Sequence, residues 1–164
     1  MPLCHLIYQS QALTAFSTAE LDELRQQSLA YNTANDLTGM LLYAPNGHFL
    51  QVLEGDAAAV RFLYYHRIAT DPRHEHLVVL SEGPSAVHVF PDWTMSFREC
   101  GEAGDGPDGA GHQAARPGYL APRAAYVRVC QLVRATPELM RLLLDFTAGY
   151  DDSPLSESMI GSRS

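Results

Sequence analysis

The amide side chain of Gln51 interrupts an apolar run, FLQVLEG, that is typical of a buried strand. An amide carries both a hydrogen-bond donor and an acceptor, so at such a position it can address a ligand with either end. Alternatively, its polar atoms are satisfied by other groups in the core, as those of most buried polar side chains are. The run alone does not distinguish a ligand contact from a packing role.

A second candidate is Tyr8, which lies in the opening run CHLIYQS. This run is short and rich in β-forming residues, and strand periodicity places Tyr8 on the same face as Cys4 and Leu6. We therefore expect Tyr8 to point into the core. Taken alone, such a tyrosine is most often a packing residue whose hydroxyl has a partner.

The remaining candidates have simple structural explanations when each is considered alone. Asn32 lies at the end of a predicted helix, where asparagine is common. Arg67 and Asp71 are four residues apart, a helical spacing typical of a solvent-exposed ion pair. Trp93 and Met95 alternate with polar residues, which is the period of a strand with one buried face and indicates core residues.

The composition excludes several classes of function. The chain has 164 residues, a net charge of -8 and eleven scattered lysines and arginines, so we expect no direct binding to nucleic acid. Its seven histidines show no metal-binding spacing. The three cysteines match no disulfide framework and no run of about 18 apolar residues occurs, so we expect a cytoplasmic protein that binds no membrane.

The candidate residues must be positioned by alternating strands and helices. Ser17 and Glu20 form a capping-box pattern before a helical stripe of leucines, which predicts a first helix over about residues 18–31. Asn46-Gly47 lies between two apolar β-type runs, which predicts a hairpin whose second strand carries the amide described above. A second helix should then place one face toward the core: Val60, Leu63, Tyr64, Arg67 and Ile68.

A short strand near HLVVLSE and a last strand within VFPDWTMSF complete the order βαββαββ. This order predicts an α+β, ferredoxin-like fold for residues 1–100: a mixed five-stranded sheet with two helices on one face. The glycine-rich composition of residues 101–118 predicts a flexible connection. Residues 119–150 are predicted to form two C-terminal helices, and residues 151–164 a disordered tail. The last helix is apolar on more than one side, which indicates a homo-oligomer, either a dimer or larger.

Five stretches, in order over roughly residues 3–98, resemble the BLUF domain, the family of blue-light sensors that bind a flavin. They are LIYQS, YNTANDLTGMLLY, GHFLQVLEG, RIATDPRH and FPDWTMSF. The resemblance implies that the isoalloxazine ring of the flavin lies between the two helices. The expected cofactor is FAD, with FMN and riboflavin as alternatives, because the implied contacts concern the ring more than the phosphates.

The resemblance implies the photochemistry of two residues. Tyr8 is similar to the phenol that gives an electron and a proton to the excited flavin. Gln51 is similar to the amide that bridges this phenol and the N5/O4 edge of the flavin. Because an amide has a donor and an acceptor end, transient proton transfer can leave Gln51 rotated or tautomerised, with different hydrogen bonds.

The resemblance also implies the surroundings and the output. Asn32, Arg67 and Asp71 match positions that make polar contacts to the ring. Trp93 and Met95 match the pair on the last strand that relays the change, through the C-terminal helices, to a downstream regulatory protein.

Two positions and the length of one helix differ from the usual BLUF pattern. Tyr31 replaces a second polar residue before the asparagine, and His88 replaces a frequent arginine. The helix between Gly55 and Ile68 is one residue longer than usual.

Two other functions compete with the light sensor. One is a flavin-dependent enzyme that uses Tyr8 or Glu54 as acid or base, but it lacks a glycine-rich phosphate motif. The other is a ferredoxin-like interaction domain without flavin, in which the polar residues are satisfied core groups. Nothing after Gly101 is long enough for a cyclase or phosphodiesterase, so we expect a regulatory module and not an enzyme.

Overall fold

A computed structural model of the protein describes residues 2–44, 46–97 and 117–119. It contains five strands and two helices in the predicted order: β1 (Leu3–Ala12), α1 (Thr18–Ala34), β2 (Thr38–Tyr43), β3 (His48–Asp56), α2 (Ala57–Phe62), β4 (His74–Pro84) and β5 (Trp93–Ser96). The helix α2 continues directly into a π-helix over Leu63–Ile68. The two predicted C-terminal helices, the tail and the connection as far as residue 116 lie outside the described residues.

The strands form one mixed sheet in the order β4-β1-β3-β2-β5, which confirms the predicted fold. All neighbours are antiparallel except β2 and β5, which are parallel. Tyr8 pairs with Gln51, Gln51 with Leu41, and Leu41 with Met95. Because side chains at paired positions point to the same face of a sheet, these four residues form one row across the face that α1 and α2 cover.

Local sequence signals explain how α1 and the β2–β3 hairpin form. The Ser17 side chain accepts a hydrogen bond from the Glu20 amide, and the Glu20 carboxylate accepts one from the Ser17 amide, so the predicted capping box is confirmed. Gly47 adopts a φ of 87°, which favours glycine, and its amide donates to the Ala44 carbonyl. The turn thereby fixes the register that places Gln51 on the helical face.

The second helix differs from its prediction. A regular α-helical face was expected as far as Ile68, but the α-helix ends at Phe62 and the next turns are π-helical. The Ala69 amide donates to the Tyr64 carbonyl, five residues earlier. A π-turn takes up one extra residue, and helix breaks of this kind often occur at functional sites.

The expectation that β5 has one buried face is wrong. Thr94 and Ser96, on the face expected to meet solvent, are as buried as Trp93 and Met95. Their partners on β2, including Met40, are buried as well. The polar and apolar alternation in β5 therefore marks the two faces of a sheet that is covered on both sides at this point.

No helix in the described part of the chain combines the length and apolar character needed to cross a membrane.

Candidate functional site

A cleft of about 210 Å³ lies between the helical face of the sheet, α1 and the π-helix. The strands β1, β2 and β3 supply its floor. Five of the predicted site residues line it: Tyr8, Asn32, Gln51, Arg67 and Asp71. The other two, Trp93 and Met95, belong to the same core but do not line the cleft.

Tyr8 and Gln51 form a buried hydrogen-bonded pair at the floor of the cleft. The Tyr8 hydroxyl donates to Oε1 of Gln51 at 2.6 Å, and the two residues are 3% and 4% exposed. This distance is at the short end of the range for hydroxyl donors. Burial raises the pKa of Tyr8 far above its usual value, with smaller contributions from Tyr64 and Asp71. The phenol is therefore kept protonated, as a donor to the amide.

Asn32 has an unsatisfied acceptor at the cleft. The residue is only 1% exposed, and its Oδ1 has no hydrogen-bond partner among the described residues. A buried polar atom without a partner costs about 1–3 kcal/mol. Its backbone carbonyl accepts from the Leu37 amide, which explains its place at the helix end, but not the unpaired side chain. A ligand with a donor group in the cleft would satisfy this oxygen.

Arg67 and Asp71 do not form the solvent-exposed ion pair that their spacing favoured. The Arg67 guanidinium lies over the ring of Tyr31, 4.4 Å from its centroid. Asp71 pairs with Arg73 at 2.6 Å, and hydrogen bonds from Arg73 lower the pKa of the Asp71 carboxyl. Tyr31, one of the positions that differ from the BLUF pattern, is thus the surface on which Arg67 stacks.

Sequence reasoning missed His74 and Arg73 as cleft residues. The His74 ring connects two elements: Nδ1 is 2.8 Å from the Ser10 hydroxyl on β1, and Nε2 is 2.7 Å from the Ile68 carbonyl at the end of the π-helix. Because a carbonyl can only accept, Nε2 must carry a proton. The signal was present in the sequence, since both residues end the stretch RIATDPRH.

Glu54, the acid or base of the competing enzyme, lies on the opposite face of the sheet. Its carboxylate is 2% exposed and accepts hydrogen bonds from the amides of Val89 and Phe90. Thr38 contacts the same carboxylate at 3.4 Å and lies 3.0 Å from His88 Nδ1. Glu54 thus anchors the loop before β5 and does not reach the cleft.

Replacing Glu54 with glutamine should therefore reduce stability without changing the cleft. The amide NH2 would face backbone donors, so we expect the free energy of unfolding to fall by about 1–3 kcal/mol. Urea unfolding measures this change. The matched variant Glu82→Gln alters an exposed ion pair with Arg61 and should cost less than about 1 kcal/mol. Equal losses in both variants would contradict the anchoring role.

Trp93 and Met95 lie on β5, at the far side of β2 from Gln51. Trp93 pairs with Gly39, and a side chain at Gly39 would place its Cβ 1.9 Å from the Val52 carbonyl oxygen. Trp93 is 2% exposed, and its Nε1 has no hydrogen-bond partner within the described residues. Among the described residues, the indole ring is therefore held by packing, while the Trp93 backbone pairs with β2.

Comparisons with known proteins agree with this geometry. The pattern of the BLUF family, described as sensors of blue-light using FAD, matches residues 3–96. The beta subunit of photoactivated adenylate cyclase from Euglena gracilis is 37% identical over 95 residues, which are 57% of this chain and 11% of that protein. The blue light- and temperature-regulated antirepressor BluF of Escherichia coli (strain K12) is 37% identical over 79 residues, 48% of this chain and 19% of that protein.

A solved structure extends the likeness to the fold. The dark-state structure of BlrB, a BLUF protein, has a TM-score of 0.56 and 25% identity to this chain, and the match covers 99% of this chain and 98% of BlrB. The chain spans about a tenth to a fifth of the length of the two curated relatives, so their likeness concerns one domain. The match over residues 3–96, together with a ferredoxin-like sheet and a buried Tyr8–Gln51 pair, shows that this chain belongs to the BLUF family of flavin-using blue-light sensors.

Proposed function

We propose that the chain is a blue-light photosensory module whose cleft between α1 and the π-helix holds the ring of a flavin. The observation that carries this proposal is the buried 2.6 Å hydrogen bond from Tyr8 to Gln51 at the floor of the cleft. FAD is the flavin that we propose, because the family description names it. FMN and riboflavin contain the same ring and would meet the same residues.

The residues of the cleft fit such a ring. Oδ1 of Asn32, which has no partner in the described part of the chain, offers an acceptor. Arg67 offers donors, and Gln51 offers either. Apolar side chains such as Leu41 and Leu63 supply walls against which a planar ring can pack. Asp71 is engaged by Arg73, so we propose that it acts at the edge of the site through that pair.

Tyr8 and Gln51 carry the photochemical step in this proposal. A bound flavin supplies an excited state that is a strong oxidant. Tyr8 would give one electron to that oxidant, and its phenolic proton would leave along the existing hydrogen bond toward Oε1 of Gln51. When the electron and the proton return to Tyr8, the Gln51 amide would be left rotated or tautomerised, with a different set of hydrogen bonds and no net redox change.

The signal must cross β2 to reach β5. Gln51 and Met95 are on strands separated by β2, about 10 Å apart, with Leu41 between them in the same row. We propose that repacking of Leu41 and Met95 relays the change, which a flexible methionine accommodates at low cost. If Met95→Ala keeps both the spectral change and the downstream change, this route is wrong.

We propose that the output is a changed interaction with a regulatory protein or with other copies of this chain, without catalysis. The relative named an antirepressor supports this output, whereas the other relative is named a subunit of an adenylate cyclase, an enzyme. The helices predicted to carry the output are outside the described residues.

The test is the absorption spectrum of the flavin-loaded protein in darkness, under blue light and after return to darkness. We expect a small shift to longer wavelength that reverses in the dark, because only hydrogen bonds to the ring change. Red light, which a flavin does not absorb, should produce no shift. Protein that binds no flavin, or whose flavin only bleaches, would contradict the proposal.

A further inference from the structure

A three-residue segment, Pro117–Tyr119, is packed against the outer edge of β5. The Met95 amide donates to the Gly118 carbonyl at 2.7 Å, and Met95 and Tyr119 form a parallel bridge. The segment thus pairs with the sheet beyond its last strand, at the residue that ends the row starting with Tyr8.

The ring of Tyr119 strengthens this contact. Its hydroxyl donates to the Phe97 carbonyl at 3.3 Å, and its ring meets the Phe97 ring edge-on with centroids 5.5 Å apart. Aromatic pairs in this arrangement stabilise a contact beyond the area they bury.

The same segment is held by α1. Arg25 is only 5% exposed, pairs with Asp22 at 2.9 Å and donates through Nη1 to the Pro117 carbonyl. Gly118 has a φ of +76°, and a Cβ there would lie 2.8 Å from Leu29. The segment is therefore fitted closely between α1 and β5.

We propose that Pro117–Tyr119 is the point at which the light signal leaves the sheet, with Arg25 as the positioning residue that holds this segment on β5. The inference rests on the proposed function above. The two elements that hold the segment connect to the cleft in different ways. Leu24 and Ser28 of α1 line the cleft, and Arg25 lies between them in sequence. The strand β5 does not line the cleft, but its Met95 ends the row that contains Gln51. A change at the ring site can thus act on the segment through either element.

The energies of the two steps are comparable. The signal begins as one altered hydrogen bond, and the Met95–Gly118 contact at the sheet edge is also a single hydrogen bond, so the two free energies are of the same order. A signal of that size can open this contact without unfolding the sheet.

The test measures hydrogen exchange of the Met95 amide by NMR in the full chain with flavin bound, in darkness and under continuous blue light. We expect slow exchange in darkness and about tenfold faster exchange in light, which corresponds to about 1.4 kcal/mol. Amides of the central strand β3 should not change, and they report any general loosening. The absorbance shift is recorded on the same sample.

Variants separate the positioning role of Arg25 from general stability. Arg25→Gln should make the Met95 amide exchange about tenfold faster already in darkness, with the amplitude of the absorbance shift unchanged. Arg25→Lys should restore part of the protection, because it keeps one charged donor. Arg61→Gln, on the exposed face of α2, should change neither. Tyr119→Phe removes the hydroxyl that donates to the Phe97 carbonyl but keeps the ring, and it provides the same test if Arg25→Gln does not fold.

The outcomes distinguish this inference from the proposed function. An absorbance shift without light-dependent exchange at Met95 would overturn the inference and leave the proposed function standing. Unchanged dark exchange in both Arg25→Gln and Tyr119→Phe would also overturn it. If the wild-type protein shows no absorbance shift, the proposed function itself is wrong.

Discussion

Replacing Tyr8 with phenylalanine will abolish the light-induced absorbance shift while leaving flavin binding nearly unchanged. The substitution removes the hydroxyl that donates to Gln51 at 2.6 Å but keeps the ring packed in the core. Phenylalanine cannot supply the electron and the proton together. We expect the yield of the shifted state to fall at least about 100-fold, because loss of a residue that is essential to a step usually has an effect of this size or larger.

Tyr64→Phe is the matched control. Tyr64 is also buried and lies 5.1 Å from Tyr8 between ring centroids, but it does not line the cleft. Its loss should leave the shift intact. The measurement is the absorbance difference between light and dark, normalised to bound flavin. A shift of normal size in Tyr8→Phe would remove Tyr8 from the mechanism.

The pKa of Tyr8 adds a pH dependence to this prediction. Because burial raises the pKa of the phenol above its value of about 10 in the unfolded chain, Tyr8 stays protonated throughout the neutral range. The stability that depends on this neutral phenol is fully present below about pH 10, and it is lost as the pH rises above that value. Because Tyr8 does not lose its proton between about pH 6 and 9, its ionisation should not change the light response in that range.

The elements with local signals were predictable from the sequence. The capping box at Ser17 and Glu20 fixed the start of α1, and Asn46-Gly47 fixed the hairpin, because each signal involves residues close in the chain. The pairing of Tyr8 with Gln51 depends on a register between residues far apart in sequence. Periodicity places each residue on a face but does not choose between registers, so this pair was accessible only through the family resemblance.

The errors have equally specific causes. A helix period of 3.6 residues could not reveal that the turns at Leu63–Ile68 are π-helical, since the extra residue changes no local composition. The alternation in β5 was interpreted as one buried face because Thr94 and Ser96 are polar, although both faces of the sheet are covered there. His74 was missed because its partners, Ser10 and the Ile68 carbonyl, come from two other elements.

Replacing Asn32 with leucine will change the stabilities of the flavin-free and flavin-bound proteins in opposite directions. Without flavin, Oδ1 of Asn32 is buried and has no partner among the described residues, so an apolar side chain of similar size should raise the free energy of unfolding by about 1–2 kcal/mol. With flavin, the same substitution removes a polar contact to the ring. We expect the affinity for flavin to fall about 10- to 100-fold, the range for a buried hydrogen bond lost from a binding site.

Urea unfolding with and without excess flavin, together with a fluorescence titration of flavin, measures both effects. Asn32→Asp is the matched control, because it keeps an acceptor oxygen but buries a carboxyl without a partner, and it should destabilise the flavin-free protein. A purely structural asparagine predicts a different pattern, in which Asn32→Leu destabilises the flavin-free protein and leaves flavin affinity unchanged. The sign of the change in the free energy of unfolding of the flavin-free protein therefore decides whether this oxygen is kept unpaired for a ligand. An unsatisfied acceptor in the core lowers stability, and only binding can offset that cost.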